Sequence, residues 1–290
     1  MAKPRIAITE GDPAGIGPEI ARKAAADRRV LAVCEPVLYG AGTGTPFEAG
    51  KLSAAAGKAA YGSIVAATAD AQAGMVDGLA TAPINKEALR LAGYPWNGHT
   101  DLLAHLTGSP FVAMMFYSDE LRVVLATVHV PLAEVPKLLT QSLVERTIAL
   151  AWRELALFDK VRPRLAVAGL NPHAGEHGLF GHEEETAIIP AIDCCRARGI
   201  EVSGPFPADT VFVRARKGEF DAVIACYHDQ GLIPVKLLAF GRAVNVTLGL
   251  PIIRTSVDHG TAFDIAGQGI ADAESMVAAV LLAARLARSA

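Results

Sequence analysis

Little in this chain points outside the cell, to a membrane or to nucleic acid. Cysteine is sparse: Cys34, Cys194, Cys195 and Cys226 are the four in 290 residues. None is spaced as CxxC, so no zinc-ribbon or redox pattern exists, and the reading is reduced thiols in a cytoplasmic protein. The net charge is only −3 and no run of like charges occurs, so the basic stripe of a nucleic-acid binder is missing. The most apolar stretch near the C-terminus, residues 276–286, is short of the roughly 20 residues that span a bilayer. The opening MAKPRIAITEGDPAG has no apolar core of a signal peptide. A soluble protein with no membrane or nucleic-acid partner is expected. Internal repeats and disordered linkers are missing too. The first Gly-rich turn, GDPAGIGPE, has no G-x-G-x-x-G, which argues against a Rossmann dinucleotide site. What remains is an apolar content of 51%, enough for one large α/β domain or two intertwined lobes.

Short apolar runs alternate with helical patterns from end to end. Strands are predicted at residues 5–9, 30–39, 64–67 and 78–81, and at 111–117 and 121–128 as a hairpin. Further strands are predicted at 165–168, near Val211, Val223 and Val244, with another segment at 252–257. Helices are predicted from the GDPAGIGPE turn through Ala26, after Pro83 and Asn85, at 100–106, 142–158 and 183–198, and at 273–287. Residues 40–57 read as a loop or weak helix. The pattern implies a mixed α/β sheet with helices on both faces.

Three histidines follow buried-strand signals: His129 in ATVHVPL, His173 in LNPHAGE and His228 in CYHDQG. Ligand-binding groups in open α/β sheets gather outside the carboxyl ends of strands. A lone histidine on an apolar strand is more often a hydrogen-bonded core residue. Three at strand ends, beside Pro, Gly or Asp, are the minimum set for a divalent metal with an open coordination position. Their wide separation matches no zinc-finger spacing, so the fold has to assemble them. Three imidazoles suit zinc, cobalt or nickel. Asp209 in PADT and Asp229 beside His228 are candidates to orient a ligand histidine. Lys86 in PINK is a candidate proton-transfer group. His105, His177 and His182 read as surface or structural residues.

The string SVDHGTAFDIAGQG contains Gly260 and Gly267, which permit close backbone approach to a ligand, and Thr261 and Asp264, which offer polar contacts. It resembles the adenosine-binding loop of isopropylmalate and isocitrate dehydrogenases, which bind NAD without a Rossmann fingerprint. GDPAGIGPE is similar to the opening turn of the same enzymes, with helix amides that can face an anion.

Together with TAPINK, NGHT, PADT, YHDQGLIPVK and NVTLGLPIIRTS, these strings resemble the 4-hydroxythreonine-4-phosphate dehydrogenase family of the vitamin B6 pathway over nearly the whole chain. Glu10 departs from the proline or methionine common there, and the region between Tyr39 and Ser63 is shorter than usual. The resemblance implies an isocitrate/isopropylmalate dehydrogenase-like α/β fold of two lobes with a cleft between them. Residues 1–96 with 232–290 would form the NAD-binding lobe, and 97–231 the metal-binding and dimerisation lobe. It implies His129, His173 and His228 as metal ligands at the interface of a homodimer, one of them from the partner subunit. Zinc is expected, with magnesium and cobalt as alternatives. His99, Thr100, Lys236, Asn245 and Arg254 would contact substrate, and the Lys, Asn and Arg make a clamp for phosphate or carboxylate. NAD is expected over NADP because Asp272 and Glu274 would repel a 2′-phosphate. The implied reaction is oxidation of 4-phosphooxy-L-threonine to a β-keto acid, which decarboxylates to 3-amino-2-oxopropyl phosphate. Family relatives that act on a carboxylated aromatic cis-dihydrodiol or on D-threonate or D-erythronate 4-phosphate are the alternatives. A phosphoryl- or acyl-transferring protein of related fold and a non-enzymatic metal-binding protein stand further off.

Overall fold

A computed structural model describes residues 2–42, 47–158 and 161–289. In chain order its elements begin with β1 (Arg5–Thr9), α1 (Gly17–Ala26), α2 (Arg28–Val33) and β2 (Glu35–Tyr39). Next come α3 (Ala54–Gln72), β3 (Gly78–Thr81), α4 (Lys86–Leu91) and α5 (His99–Thr107). The middle holds β4 (Ala113–Tyr117), β5 (Arg122–Leu125), α6 (Val135–Leu138), α7 (Gln141–Glu154) and β6 (Leu165–Ala168). Then follow α8 (Ile189–Ala197), β7 (Val202–Phe206), α9 (Ala208–Arg216), β8 (Ala222–Ala225) and α10 (His228–Ala239). The series closes with β9 (Val244–Leu248), β10 (Arg254–Ser256) and α11 (Glu274–Ser289). No helix among the described residues is long and apolar enough to cross a membrane.

The chain divides into two compact units, Met1–Val112 with Val244–Ala290, and Ala113–Ala243. The boundaries expected from the sequence, at 96/97 and 231/232, lie elsewhere for packing reasons. Leu102 and Leu103 of α5 share a core with Ala7 and Leu79 of the first unit. Leu232 and Val235 of α10 share one with Val123 and Ala225 of the second.

In the first unit β1 pairs in parallel with β2 and β3, β3 in parallel with β10, and β10 antiparallel with β9. Ile6, Ile8 and Ala80 pack one face against Ile20 of α1 and Met276, Val277 and Val280 of α11. Ala7 and Leu79 pack the other against Ile64 and Ala67 of α3 and the α5 leucines. In the second unit β4 and β5 form the expected hairpin, and β5, β8, β6 and β7 run parallel in that spatial order.

Three predicted strands differ from the structure. Residues 64–67 lie inside α3: the Ile-Val pair is short, and the alanine-rich context capped by the Ser53 hydroxyl (3.1 Å from the Ala56 amide) favours helix. Residues 28–33 form α2, capped by the Asp27 carboxylate, so the strand there begins only at Glu35. Val211 sits in α9, where it packs its buried face against the sheet, and the strand lies earlier at Val202–Phe206. The loop or weak helix read at 40–57 spans residues 43–46, which lie outside the described residues, and its end belongs to α3.

Helix α3 meets α4 at Gly57, where an added methyl would overlap the Ala88 carbonyl oxygen. Gly57→Ala would gain about 1 kcal/mol of helix propensity but lose roughly 1–3 kcal/mol or more to the overlap with rigid backbone. A lowered denaturant midpoint is therefore expected, and an unchanged one would show that the helices separate at little cost.

Candidate functional site

The second unit carries the three histidines at the carboxyl ends of β5, β6 and β8, strands that lie side by side in the order β5, β8, β6. His228 opens α10, and its Nδ1 lies 2.7 Å from the Asp229 Oδ1. A carboxylate there sets the proton on Nδ1 and leaves Nε2 to ligate. The His129 ring lies 5.6 Å from the His228 ring. Two imidazoles bound to one zinc, with Zn–N of about 2.0–2.1 Å, place their centroids roughly 5 Å apart, so this pair fits a shared ion. His173 packs against Phe180 at 6.1 Å. Among the described residues of one chain, no group of three His, Cys, Asp or Glu side chains forms a ligand cluster.

His173 stands on a strained loop. It, Ala174, Glu176 and His177 all have positive φ, between 44° and 56°, a conformation that costs free energy for non-glycine residues and concentrates at functional sites. Buried Glu184, at the start of a π-helical turn (Glu184–Ile188), holds the loop from below. Its carboxylate accepts the Asn171 backbone N–H at 2.8 Å and the Asn171 side-chain amide at 2.9 Å. The same amide donates to Glu183 at 2.7 Å and holds that carboxyl below the usual range.

A second cluster lies wholly within the first unit. Arg254 of β10 is buried, and its guanidinium donates to the hydroxyls of Thr247 and Thr81, both at 2.8 Å. Burial pushes it down to about 9. Its Nε, the His99 Nε2 and the Asn245 Oδ1 are enclosed without hydrogen-bond partners among the described residues. His99 begins α5, and burial, then the nearby Arg254 cation, hold its imidazole well below the ordinary range, so it is neutral. Thr100 is the next residue of that helix. A buried cation bonded only to two neutral hydroxyls lacks a counter-charge, and such a site favours an anion. Thr81 and Thr247 were not legible as site residues, because only the strand register brings them to Arg254. Lys236 lies in the other unit, half-buried on α10.

The loop with Gly260, Thr261, Asp264 and Gly267 follows β10. It docks on the first Gly-rich turn, where the Ile16 amide donates to the Thr261 carbonyl at 3.0 Å. A side chain at Gly15 would stand 2.8 Å from that carbonyl, so the close fit needs glycine. Ala262 in this loop has φ 42°. Glu274 is held by Arg29, whose guanidinium donates 2.9 Å to its Oε2, so its repulsion of a 2′-phosphate is partly neutralised. Lys86 is exposed at the start of α4, and Asp209 is exposed in the first turn of α9. Glu10, the family departure, is buried and accepts from Arg22 at 2.9 Å. His105 packs against Trp96, with ring centroids 4.5 Å apart and planes tilted by 34°.

The family model described as "Pyridoxal phosphate biosynthetic protein PdxA" matches residues 12–283. A D-threonate 4-phosphate dehydrogenase of Cupriavidus necator is 46% identical over 98% of this chain and 97% of its own length. The crystal structure of a 4-hydroxythreonine-4-phosphate dehydrogenase from Klebsiella pneumoniae superposes with a TM-score of 0.88 at 44% identity, covering 98% of each chain. An isocitrate dehydrogenase from Methylococcus capsulatus, 19% identical, shares the fold with a TM-score of 0.50 over 96% of this chain and 83% of its own. The expected fold class therefore stands. With strand-end histidines, a buried arginine pocket and a match along almost its full length, the chain belongs to the PdxA family of dehydrogenases.

Proposed function

We propose that the protein is an NAD- and divalent-metal-dependent dehydrogenase. Its substrate is 4-phosphooxy-L-threonine, whose oxidation gives a β-keto acid that loses carbon dioxide to leave 3-amino-2-oxopropyl phosphate. The observation that carries this reading is the buried Arg254 guanidinium, which among the described residues bonds to two neutral hydroxyls and leaves its Nε unpartnered, a group suited to a phosphate. His99, Thr100, Asn245 and Arg254 hold the anionic end of the substrate, and Lys236 adds a further cation. The neutral state of His99 keeps Arg254 as the principal charge there.

Zinc, or magnesium or cobalt in its place, would be held by His129, His173 and His228. When bound, the metal would supply Lewis acidity at the alcohol being oxidised and NAD would supply the hydride acceptor. Asp229 orients His228 through the 2.7 Å contact. Lys86, Asp209 and Asp229 are the candidates to take the hydroxyl proton. The loop of Gly260, Thr261, Asp264 and Gly267 would bind the adenosine half of NAD, with Asp272 disfavouring NADP.

A homodimer with the site at its interface supports the metal set, because each histidine is bordered by exposed apolar side chains. Val130 and Leu132 follow His129, and Leu179 and Phe180 follow His173. Ile233, Leu237 and Phe240, the last two 83% and 80% exposed, form a stripe along α10 behind His228. Exposed apolar patches of this kind mark association surfaces. The four unpaired thiols fit a cytoplasmic location.

D-threonate 4-phosphate is the second reading, favoured by the Cupriavidus relative. NADH formation should be followed with zinc-supplemented protein offered 4-phosphooxy-L-threonine, D-threonate 4-phosphate and a carboxylated cis-dihydrodiol, each with and without chelator. Chelator-sensitive turnover of the first supports the proposal. Turnover of only the second or third reassigns the substrate, and silence on all three refutes every substrate named here.

A further inference from the structure

Thr9 closes β1, and the strand register sets it beside the arginine pocket. Its Cα pairs with Thr81 of β3, Thr81 pairs with Ser256 of β10, and Ser256 pairs with Asn245 of β9. Paired residues point to the same face of a sheet, as do residues two apart on one strand. Thr9, Thr81, Ser256 and Asn245 therefore share one face with Arg254 and Thr247. Thr81, whose hydroxyl accepts from Arg254 at 2.8 Å, is thus the direct neighbour of Thr9. The Thr9 side chain is fully buried, and its hydroxyl has no hydrogen-bond partner. Three other atoms of the cluster are in the same state: Arg254 Nε, His99 Nε2 and Asn245 Oδ1.

A buried hydroxyl without a partner costs stability, and valine would fill the same space without that cost. The Thr9 hydroxyl and the Arg254 Nε are both buried donors without an acceptor among the described residues, the pattern of a site whose hydrogen bonds are completed by an anionic ligand. We propose that Thr9 is a further substrate-binding residue, donating its hydroxyl hydrogen to the phosphate that Arg254 neutralises. The inference rests on the phosphate reading of the pocket given above and adds a ligand to it. A tetrahedral phosphate monoester has three terminal oxygens to share among the Arg254 Nε, the Thr9 hydroxyl and the groups at the start of α5.

The test compares the full-length wild type with Thr9→Val and Thr9→Ser. Melting temperature is measured without ligand and with inorganic phosphate, and KM and kcat with whichever phosphorylated substrate is turned over. Without phosphate, Thr9→Val should melt at the wild-type temperature or above. Its affinity for inorganic phosphate should fall about tenfold or more, the loss expected for a hydrogen bond to a charged group. KM should rise by a similar factor with kcat changed far less, and Thr9→Ser should recover most of both.

Unchanged phosphate affinity in Thr9→Val overturns the assignment, whatever the melting temperature, and leaves the hydroxyl to an internal water. Equal losses in the valine and serine variants would assign Thr9 a packing role, which also overturns it. The underlying reading fails separately. If the wild type is neither protected by phosphate nor active on any phosphorylated substrate, the pocket is not a phosphate site, and the Thr9 assignment falls with it.

Discussion

Arg254→Met is expected to lower kcat/KM for the phosphorylated substrate about a thousandfold, the scale of losing a buried charge-assisted contact, while leaving the protein about as stable as the wild type. The second half of this expectation is the informative one. Burial pushes the Arg254 guanidinium down to about 9 from its ordinary 12.5. The folded state thus holds a cation it disfavours, and at neutral pH that cost is present in full. Between the two values the unfolded chain binds the proton more tightly than the folded one, so this group's contribution to stability rises with pH through that window. Methionine removes the cost, on the order of several kcal/mol. Against that, it takes a donor from the Thr247 hydroxyl and from the Thr81 hydroxyl, which keeps only a long 3.5 Å bond to the Thr255 carbonyl, at roughly 1–3 kcal/mol each. The two effects nearly cancel. Unfolding curves of variant and wild type from neutral pH to about pH 10 should show the wild type gaining on the variant as pH passes 9. A variant that unfolds several kcal/mol more easily at neutral pH would mean the arginine is a structural support and not an anion receptor.

The second large effect is expected at His228. His228→Ala should abolish metal-dependent turnover, a drop of about a thousandfold or more for a lost ligand to a catalytic metal. Its melting temperature should change little, because the side chain sits half-exposed at the start of α10. Binding of cobalt, followed by its visible spectrum in the absence of substrate, should weaken in parallel. Asp229→Asn keeps the imidazole but loses the carboxylate contact at 2.7 Å, and should weaken cobalt binding by roughly 10–100-fold. Full cobalt affinity in His228→Ala would remove this residue from the ligand set.

Much of the architecture was legible because it is written locally. Buried parallel strands such as β6 and β8 are short, uninterrupted apolar runs, as strands covered on both faces tend to be. The histidines were legible because each lies three to five residues beyond the end of a buried strand, β5, β6 or β8. The misread segments, residues 28–33, 64–67 and 211, share one cause. Two or three β-branched residues resemble a strand, but a cap at Asp27 or Ser53, or packing on one side only, turned each into helix. The arginine pocket was half legible. Arg254, Asn245 and His99 came from the family resemblance, whereas Thr9, Thr81 and Thr247 depend on register between strands far apart in sequence. No local pattern encodes that register.

The discontinuous first unit has a consequence for synthesis. A chain emerging N-terminus first presents β1, β2 and β3 early, but the far edge of β3 waits for β10. All of Ala113–Ala243 is made in between. Throughout that interval β3 offers an unpaired strand edge, the kind of surface that recruits other chains. The Arg254 cluster, made from β1 and β3 on one side and β9 and β10 on the other, is therefore among the last parts to form. An incomplete chain would carry the three histidines without β9 and β10 and so without Asn245, Thr247 and Arg254, and with the β3 edge still open.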